Sequence, residues 1–165
     1  MKKTLSLLLL SIPFLCMAQT KKPVDGFFGI KFGADSVAVK AAVLAKGGVL
    51  NEKLSEPGNM VFSNINYETW KNATLYVGLL ENQVYKITLG IIKIEPENVF
   101  GDYKKIVKEI NAVYGSGTAG SDKNTTITLW IDKNKNSINA STLSSAILTL
   151  TYKNNDLGPI GQRIP

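Results

Sequence analysis

Residues 74–91 read TLYVGLLENQVYKITLGI, and this stretch decides the fold. Leu75, Val77 and Leu79 alternate with other residues, which is the period of two expected of a strand with one buried face. After the polar break at residues 81–83, the residues predicted to share the buried face are Tyr85, Ile87, Leu89 and Ile91. Two such runs joined by a short turn predict a β-hairpin. Because a two-stranded ribbon is only marginally stable, we expect further strands and a covering helix.

The clearest helix signal covers residues 97–114. Its apolar residues recur at a period of 3.6 and form one stripe, with lysines on the opposite side. Pro96 suits the first helical turn and Gly115 the C-terminal cap. The predicted stripe consists of Val99, Tyr103, Ile106, Val107, Ile110, Val113 and Tyr114.

A shorter helix is predicted over residues 36–46, capped by Asp35 or Ser36 and ended by Gly47. A first strand is expected at residues 28–32 and others at 49–50, 60–67, 126–131, 137–141 and 146–152. The phase of residues 60–67 requires a bulge near Ser63 and Asn64. We expect a turn at residues 70–72, a flexible loop at 115–124 and a polar turn at 132–136.

This order of elements predicts an α+β fold with one antiparallel sheet of six to eight strands and both helices on one face. A weak internal repeat divides the domain, because Val39-Lys40 precedes Gly47 by the same spacing as Val107-Lys108 precedes Gly115. We therefore expect two helix-plus-meander halves, at about residues 27–92 and 96–153, within a single domain at 19–165.

The first 18 residues have the layout of a secretory signal peptide. Lys2 and Lys3 precede an apolar stretch that ends in Cys16-Met17-Ala18, which predicts cleavage between Ala18 and Gln19. The expected location is the periplasm or the medium. Lipidation at Cys16 is the alternative, but bulky Pro13-Phe14-Leu15 precede it where a lipoprotein cleavage site requires small residues. No segment is predicted to span a membrane.

Composition excludes several classes of chemistry. The chain has no histidine, and its one cysteine, Cys16, lies in the predicted leader. His-based catalysis, imidazole zinc sites, thiol chemistry and disulfides are therefore not expected. Loss of the two leader lysines lowers the net charge from +6 to +4, and the lysines are dispersed, so no nucleic-acid interface is predicted. We predict no cofactor and no metal.

A resemblance can be stated on particular residues. Residues 29–48, GIKFGADSVAVKAAVLAKGG, resemble the opening of small exported proteins of the Bacteroidetes type. The later helix ending in Tyr114-Gly115, a strand holding Trp130 and a last strand ending at Tyr152 are similar to their second half. The two-repeat plan distantly resembles the β-lactamase inhibitory protein fold, which small outer-membrane assembly lipoproteins share. This resemblance implies packing and specifies no chemistry.

The sheet face away from the helices is the best candidate for binding. In the predicted phasing it carries an aromatic, hydroxyl and lysine mixture typical of recognition surfaces. The candidate binding residues are Tyr76, Lys86, Thr128 and Trp130, with Thr88 and Thr126 on the same side.

Three functions follow from these patterns. The leading hypothesis is an exported, non-enzymatic module that meets a protein or glycan of the cell envelope through the open sheet face. The second is a carboxylate-based hydrolase such as a glycosidase, using Glu95 and Glu97 or Asp102 and Glu109. The third is an accessory protein of outer-membrane assembly. A calcium loop at residues 132–143 is disfavoured, because Ser137 replaces the required glycine and Leu143 the glutamate.

Overall fold

The computed structural model describes residues 22–68, 70–92, 99–143 and 146–159, and the predicted leader lies outside them. The helices are α1 (Ser36–Leu44) and α2 (Val99–Tyr114). The strands are β1 (Gly26–Phe27), β2 (Ile30–Lys31), β3 (Val49–Leu50), β4 (Asn59–Tyr67), β5 (Trp70–Leu80), β6 (Gln83–Ile92), β7 (Thr118–Ser121), β8 (Thr125–Ile131), β9 (Ser137–Leu143) and β10 (Ile147–Lys153).

Eight of these strands form one antiparallel sheet in the order β3-β4-β5-β6-β10-β9-β8-β7. The edge strands are thus β3 and β7, and β6 pairs with β10 at the centre. β1 and β2 form a separate two-stranded ribbon. The predicted α+β class with a large antiparallel sheet is confirmed.

The predicted central hairpin is formed by β5 and β6. Its tight turn places Glu81 and Asn82 at positive φ, as two-residue hairpin turns require. Leu75, facing Leu89, and Val77, facing Ile87, are fully buried.

The pairing register shifts by one residue close to the turn of this hairpin, because Gly78 pairs with Lys86 whereas Leu79 pairs with Val84. The extra residue, Tyr85, sits in a bulge. Val84 is therefore buried and Tyr85 is half-buried on the other side. The predicted burial of Tyr85 with Ile87 is wrong for this reason.

Helix α1 begins where its cap predicts. The Asp35 carboxylate accepts a hydrogen bond from the backbone N–H of Ala38 at 2.8 Å, which satisfies one free amide of the first turn. Gly47, at φ 81°, lies just beyond the helix and allows the chain to reverse. Val39 and Val43 are the fully buried residues of α1.

Helix α2 lies against β9 and β10. Its buried residues are Val99, Tyr103, Ile106 and Ile110, as the stripe predicts. Val107 and Tyr114 are half-buried, and Val113 is exposed, so the stripe is narrower than expected. The predicted first turn at residues 97–98 lies outside the described residues.

Three local predictions are wrong and one is confirmed. The supposed flexible loop contains β7, which pairs Thr118–Ser121 with β8; small exposed side chains hide this strand from a periodicity test. The first strand is instead the β1–β2 ribbon, turned at Phe28 and Gly29 with φ of 56° and 81°. Trp70 begins β5 rather than a turn. The bulge between Phe62 and Ile65 is confirmed.

Candidate functional site

The four predicted binding residues do not share one face. Because side chains alternate across a strand, the sheet has an inner face, which α2 contacts, and an outer face opposite to it. Tyr76 and Lys86 lie on the outer face, where Tyr76 pairs with Thr88 and is 40% exposed. Thr128 and Trp130 lie on the inner face. The structure therefore brings Tyr76 and Lys86 together and separates them from the other two.

The predicted exposure of Thr128 and Trp130 is wrong, since they are 4% and 3% exposed. The Thr128 hydroxyl is 2.6 Å from the Tyr103 hydroxyl of α2. The Trp130 indole N–H donates to Asn111 Oδ1 at 2.9 Å and to the Gly115 carbonyl at 3.0 Å. Both side chains therefore join β8 to α2, and an external ligand cannot reach them. Thr126, of the same parity, is half-buried.

A concavity of about 410 Å³ surrounds Tyr76 and Lys86 on the outer face. We call it the tyrosine depression; it is lined by Gly58, Asn59, Tyr76, Gly78, Tyr85, Lys86 and Thr88. Its lining combines phenol, amide, hydroxyl and ammonium groups with glycine backbone. Only Tyr76, Lys86 and Thr88 were singled out by the sequence.

Two glycines shape this depression. A Cβ atom added to Gly78 would lie 3.0 Å from the Tyr85 ring, and one added to Gly90 would lie 3.5 Å from the Tyr76 ring. Each tyrosine ring therefore lies over a glycine of the neighbouring strand. This cross-strand arrangement compensates for the missing glycine side chains and keeps both rings close to the sheet.

Hydroxyl groups extend the outer face across the centre of the sheet. The Thr88 hydroxyl is 3.0 Å from that of Thr151, and the Ser141 hydroxyl is 2.8 Å from that of Thr149. Beyond them, Asn139 Oδ1 is buried and has no hydrogen-bond partner within the described part of the chain. These pairs give a polar, ordered surface with few charges.

The charge on this face is positive. Lys86 and Lys153 lie on paired positions of β6 and β10. Burial, followed by repulsion from Lys86, lowers the pKa of Lys153 below its usual range. The neighbourhood therefore favours an electron-rich partner such as a carbonyl, hydroxyl or carboxylate oxygen.

The candidate carboxylates have structural partners. Asp102 accepts a hydrogen bond from the Trp70 indole at 3.1 Å, and Glu109 lies 3.9 Å from Lys105 on the helix surface. Glu95 and Glu97 lie outside the described residues. Among residues that the structure describes, no cluster of three or more acidic or cysteine ligands could hold a metal ion.

Asp132 organises the turn that superficially resembled a calcium loop. Its Oδ1 accepts from the backbone N–H groups of Asn134 and Asn136 at 2.8 and 2.9 Å. Its Oδ2 accepts from the N–H of Val24 at 2.9 Å, and Asn136 Nδ2 donates to the Val24 carbonyl. The residue thus ties the start of the domain to the β8–β9 turn. The Asx-type turn was predictable, but its contact across 108 residues was not.

No helix within residues 22–68, 70–92, 99–143 and 146–159 is long and apolar enough to cross a membrane. Comparison of the chain with models of protein families, with curated proteins and with solved structures gave no match. The resemblance to small exported proteins of the Bacteroidetes type stays a prediction.

Proposed function

We propose that this chain is an exported, non-enzymatic binding module that meets a protein or glycan of the cell envelope through the outer face of its sheet. Export rests on the leader layout of residues 1–18, with the periplasm or the medium as destination. The non-enzymatic part is supported by Asp102 and Asp132, whose carboxylates are used in structural hydrogen bonds.

The architecture that we propose has both helices on the inner face, leaving the outer face free for a partner. Its support is a single hydrophobic cluster in which Val39 and Val43 of α1 join Ile106 and Ile110 of α2. We also propose two related halves, about residues 27–92 and 96–153, each a helix followed by four strands. The mirrored strand order about the β6–β10 pair supports this, as does the distant resemblance to the β-lactamase inhibitory protein fold.

The tyrosine depression is the observation that carries the proposal. Tyr76 is a large, partly exposed aromatic side chain next to a lysine and a threonine, and tyrosine is among the residues that dominate binding energy at interfaces. Its ring is held over Gly90 by the sheet, so little conformational freedom is lost when a partner binds. The partner gains aromatic area from Tyr76 and hydrogen bonds from Asn59, Lys86 and Thr88.

Capture from fractionated bacterial envelopes tests this proposal. We expect the immobilised protein to retain an envelope component. The Tyr76→Ser, Lys86→Ala double variant should retain at least about tenfold less of it, because two central contacts are removed. The matched control is Val37→Ser with Lys40→Ala on α1, which removes one exposed apolar side chain and one exposed lysine elsewhere. Equal capture by both double variants would reject the outer face as the binding surface.

Pretreatment of the envelope fraction identifies the class of partner. Loss of capture after mild periodate oxidation, with protease treatment harmless, indicates a glycan. The opposite pattern indicates a protein.

A further inference from the structure

A second concavity, of about 440 Å³, lies on the inner face, remote from the tyrosine depression. It is bounded by the β1–β2 ribbon, the end of β4, helix α2 and the C-terminal half of β10. We call it the inner pocket; its lining includes Phe27, Phe28, Tyr67, Ile110, Tyr114 and Tyr152. A volume of this size is typical of sites for small molecules.

Aromatic rings form its walls. The ring of Phe27 stacks on that of Tyr152, with centroids 4.5 Å apart, and meets the ring of Tyr67 edge-on at 5.1 Å. Ile106, Ile110 and Leu150 complete the apolar surface. The rings are fixed by one another, so the pocket is formed before any ligand enters.

Three tyrosine hydroxyls belong to this pocket and lack structural partners. Tyr152 is only 5% exposed, and neither its hydroxyl nor those of Tyr67 and Tyr114 makes a hydrogen bond to any residue that the structure describes. Each of these hydroxyl oxygens is open to the cavity rather than sealed in the core. An unpaired hydroxyl that lines a cavity is therefore available to a ligand.

The charged groups near these hydroxyls are predominantly acidic. Burial, followed by the carboxylates of Glu68 and Glu109 and by Tyr114, raises the pKa of Tyr67. Glu68 and Glu109 line the pocket themselves, together with Lys22.

Carboxylates also act on Tyr114, whereas Tyr152 is affected by burial and by its neighbouring tyrosines. Burial, followed by Asp25 and Asp132, raises the pKa of Tyr114, and burial raises that of Tyr152 above its ordinary range. No lysine contributes to any of these shifts, although Lys105 lies 3.9 Å from Glu109 on the helix surface. The three hydroxyls therefore stay protonated and uncharged, and carboxylates lie near those of Tyr67 and Tyr114.

We propose that the inner pocket binds a small organic cation, a primary ammonium carried on an apolar or aromatic body. The ammonium N–H groups are donors, and the tyrosine hydroxyl oxygens and the carboxylates of Glu68 and Glu109 are acceptors. The apolar body packs on the rings of Phe27 and Tyr152, and aromatic faces attract cations. An anion of the same shape is repelled by the carboxylates.

Three probes that share one phenyl body separate charge from shape. They are phenethylammonium, uncharged 2-phenylethanol and anionic 3-phenylpropanoate, titrated into the full chain and followed by calorimetry and by the NMR signals of the tyrosine rings. We expect phenethylammonium to bind most tightly, the alcohol more weakly and the anion least. Comparable binding of alcohol and cation, tighter binding of the anion, or no binding of any probe below about 10 mM overturns the proposal.

Charge-neutralising variants locate the site. We expect Glu68→Gln with Glu109→Gln to weaken phenethylammonium binding about tenfold and to leave 2-phenylethanol unchanged, since only two ion-pair contacts are lost. The matched control, Glu52→Gln with Glu56→Gln, changes two exposed glutamates outside the pocket and should change neither affinity. Tyr67 is half-buried, so a Tyr67→Phe variant should stay folded. We expect this variant to bind phenethylammonium with lower affinity. Unchanged affinity for the cation in both pocket variants places the ligand elsewhere and rejects the assignment.

Discussion

Strands β5 and β8 alternate in the same way but bury opposite kinds of residue. In β5 the aliphatic residues Leu75 and Val77 are buried and Tyr76 is exposed. In β8 Thr128 and Trp130 are buried, whereas Ile131 is 39% exposed. The sequence pattern is therefore equally strong in both strands, yet it predicts the buried face only in β5, near the centre of the sheet.

The difference arises from what each strand packs against. β5 lies between other strands whose apolar residues are in register with its own, as Phe62 and Leu89 are with Leu75. β8 lies near the sheet edge, and its inner face meets α2, which supplies partners for a hydroxyl and an indole. A large side chain with a satisfied N–H gains more from burial than a smaller aliphatic one.

The largest expected effect tests the phase of β8 directly. Trp130→Ala should lower the free energy of unfolding by about 3 to 5 kcal/mol, because it empties a buried indole site. Leu129→Ala, on the neighbouring half-buried outer position, should cost below about 1 kcal/mol. Urea denaturation measures both. Equal losses, or a larger loss for Leu129→Ala, would contradict the observed phase.

An intermediate effect is expected from the glycine against which Trp130 packs. A Cβ atom at Gly117 would lie 2.6 Å from both Thr128 and Trp130, so Gly117→Ala should destabilise the protein by about 1 to 3 kcal/mol through overpacking.

Gly101 of α2 provides the control for this substitution, since a Cβ atom there meets nothing within 4 Å. Gly101→Ala should stabilise the protein by up to about 1 kcal/mol, because alanine is the better helix former. Thermal unfolding measures the change in stability of both variants. Changes of the same sign would show that Trp130 does not occupy the observed position.

The smallest effect concerns the hydroxyl pair between α2 and β8. Tyr103→Phe should cost about 1 to 2 kcal/mol, since it leaves the buried Thr128 hydroxyl without its partner. The Tyr103→Phe, Thr128→Val double variant should lose less unfolding free energy than the sum of the losses of the two single variants, because both partners are then removed. Chemical denaturation of the complete double-mutant cycle measures this coupling. Simple additivity would indicate that the two hydroxyls do not meet.

Part of this arrangement was predictable from the sequence. The central hairpin, the cap at Asp35 and the buried residues of α2 depend on local periodicity and on backbone amides near in sequence, and they are confirmed. One signal could have corrected β8: Asn111 interrupts the inner side of α2, four residues after Val107, and a half-buried amide there predicts a polar partner such as an indole.

The candidate site was only half predictable, for the same physical reason. Tyr76, Lys86 and Thr88 were placed correctly because both strands alternate regularly on the side of the bulge away from the turn. Tyr85 joined them through a bulge that no alternation test detects. The inner pocket joins residues from Phe27 to Tyr152, and no local pattern relates residues so far apart.

By itself the sequence determined where the chain alternates, where it turns and which helix is amphipathic, since these depend on neighbours within a few residues. Only the tertiary structure decided which side of β8 faces α2, that β7 pairs at the edge, and that Asp132 holds Val24. These outcomes depend on free energies of contact between distant segments, where a satisfied indole or carboxylate outweighs the preference of a single strand.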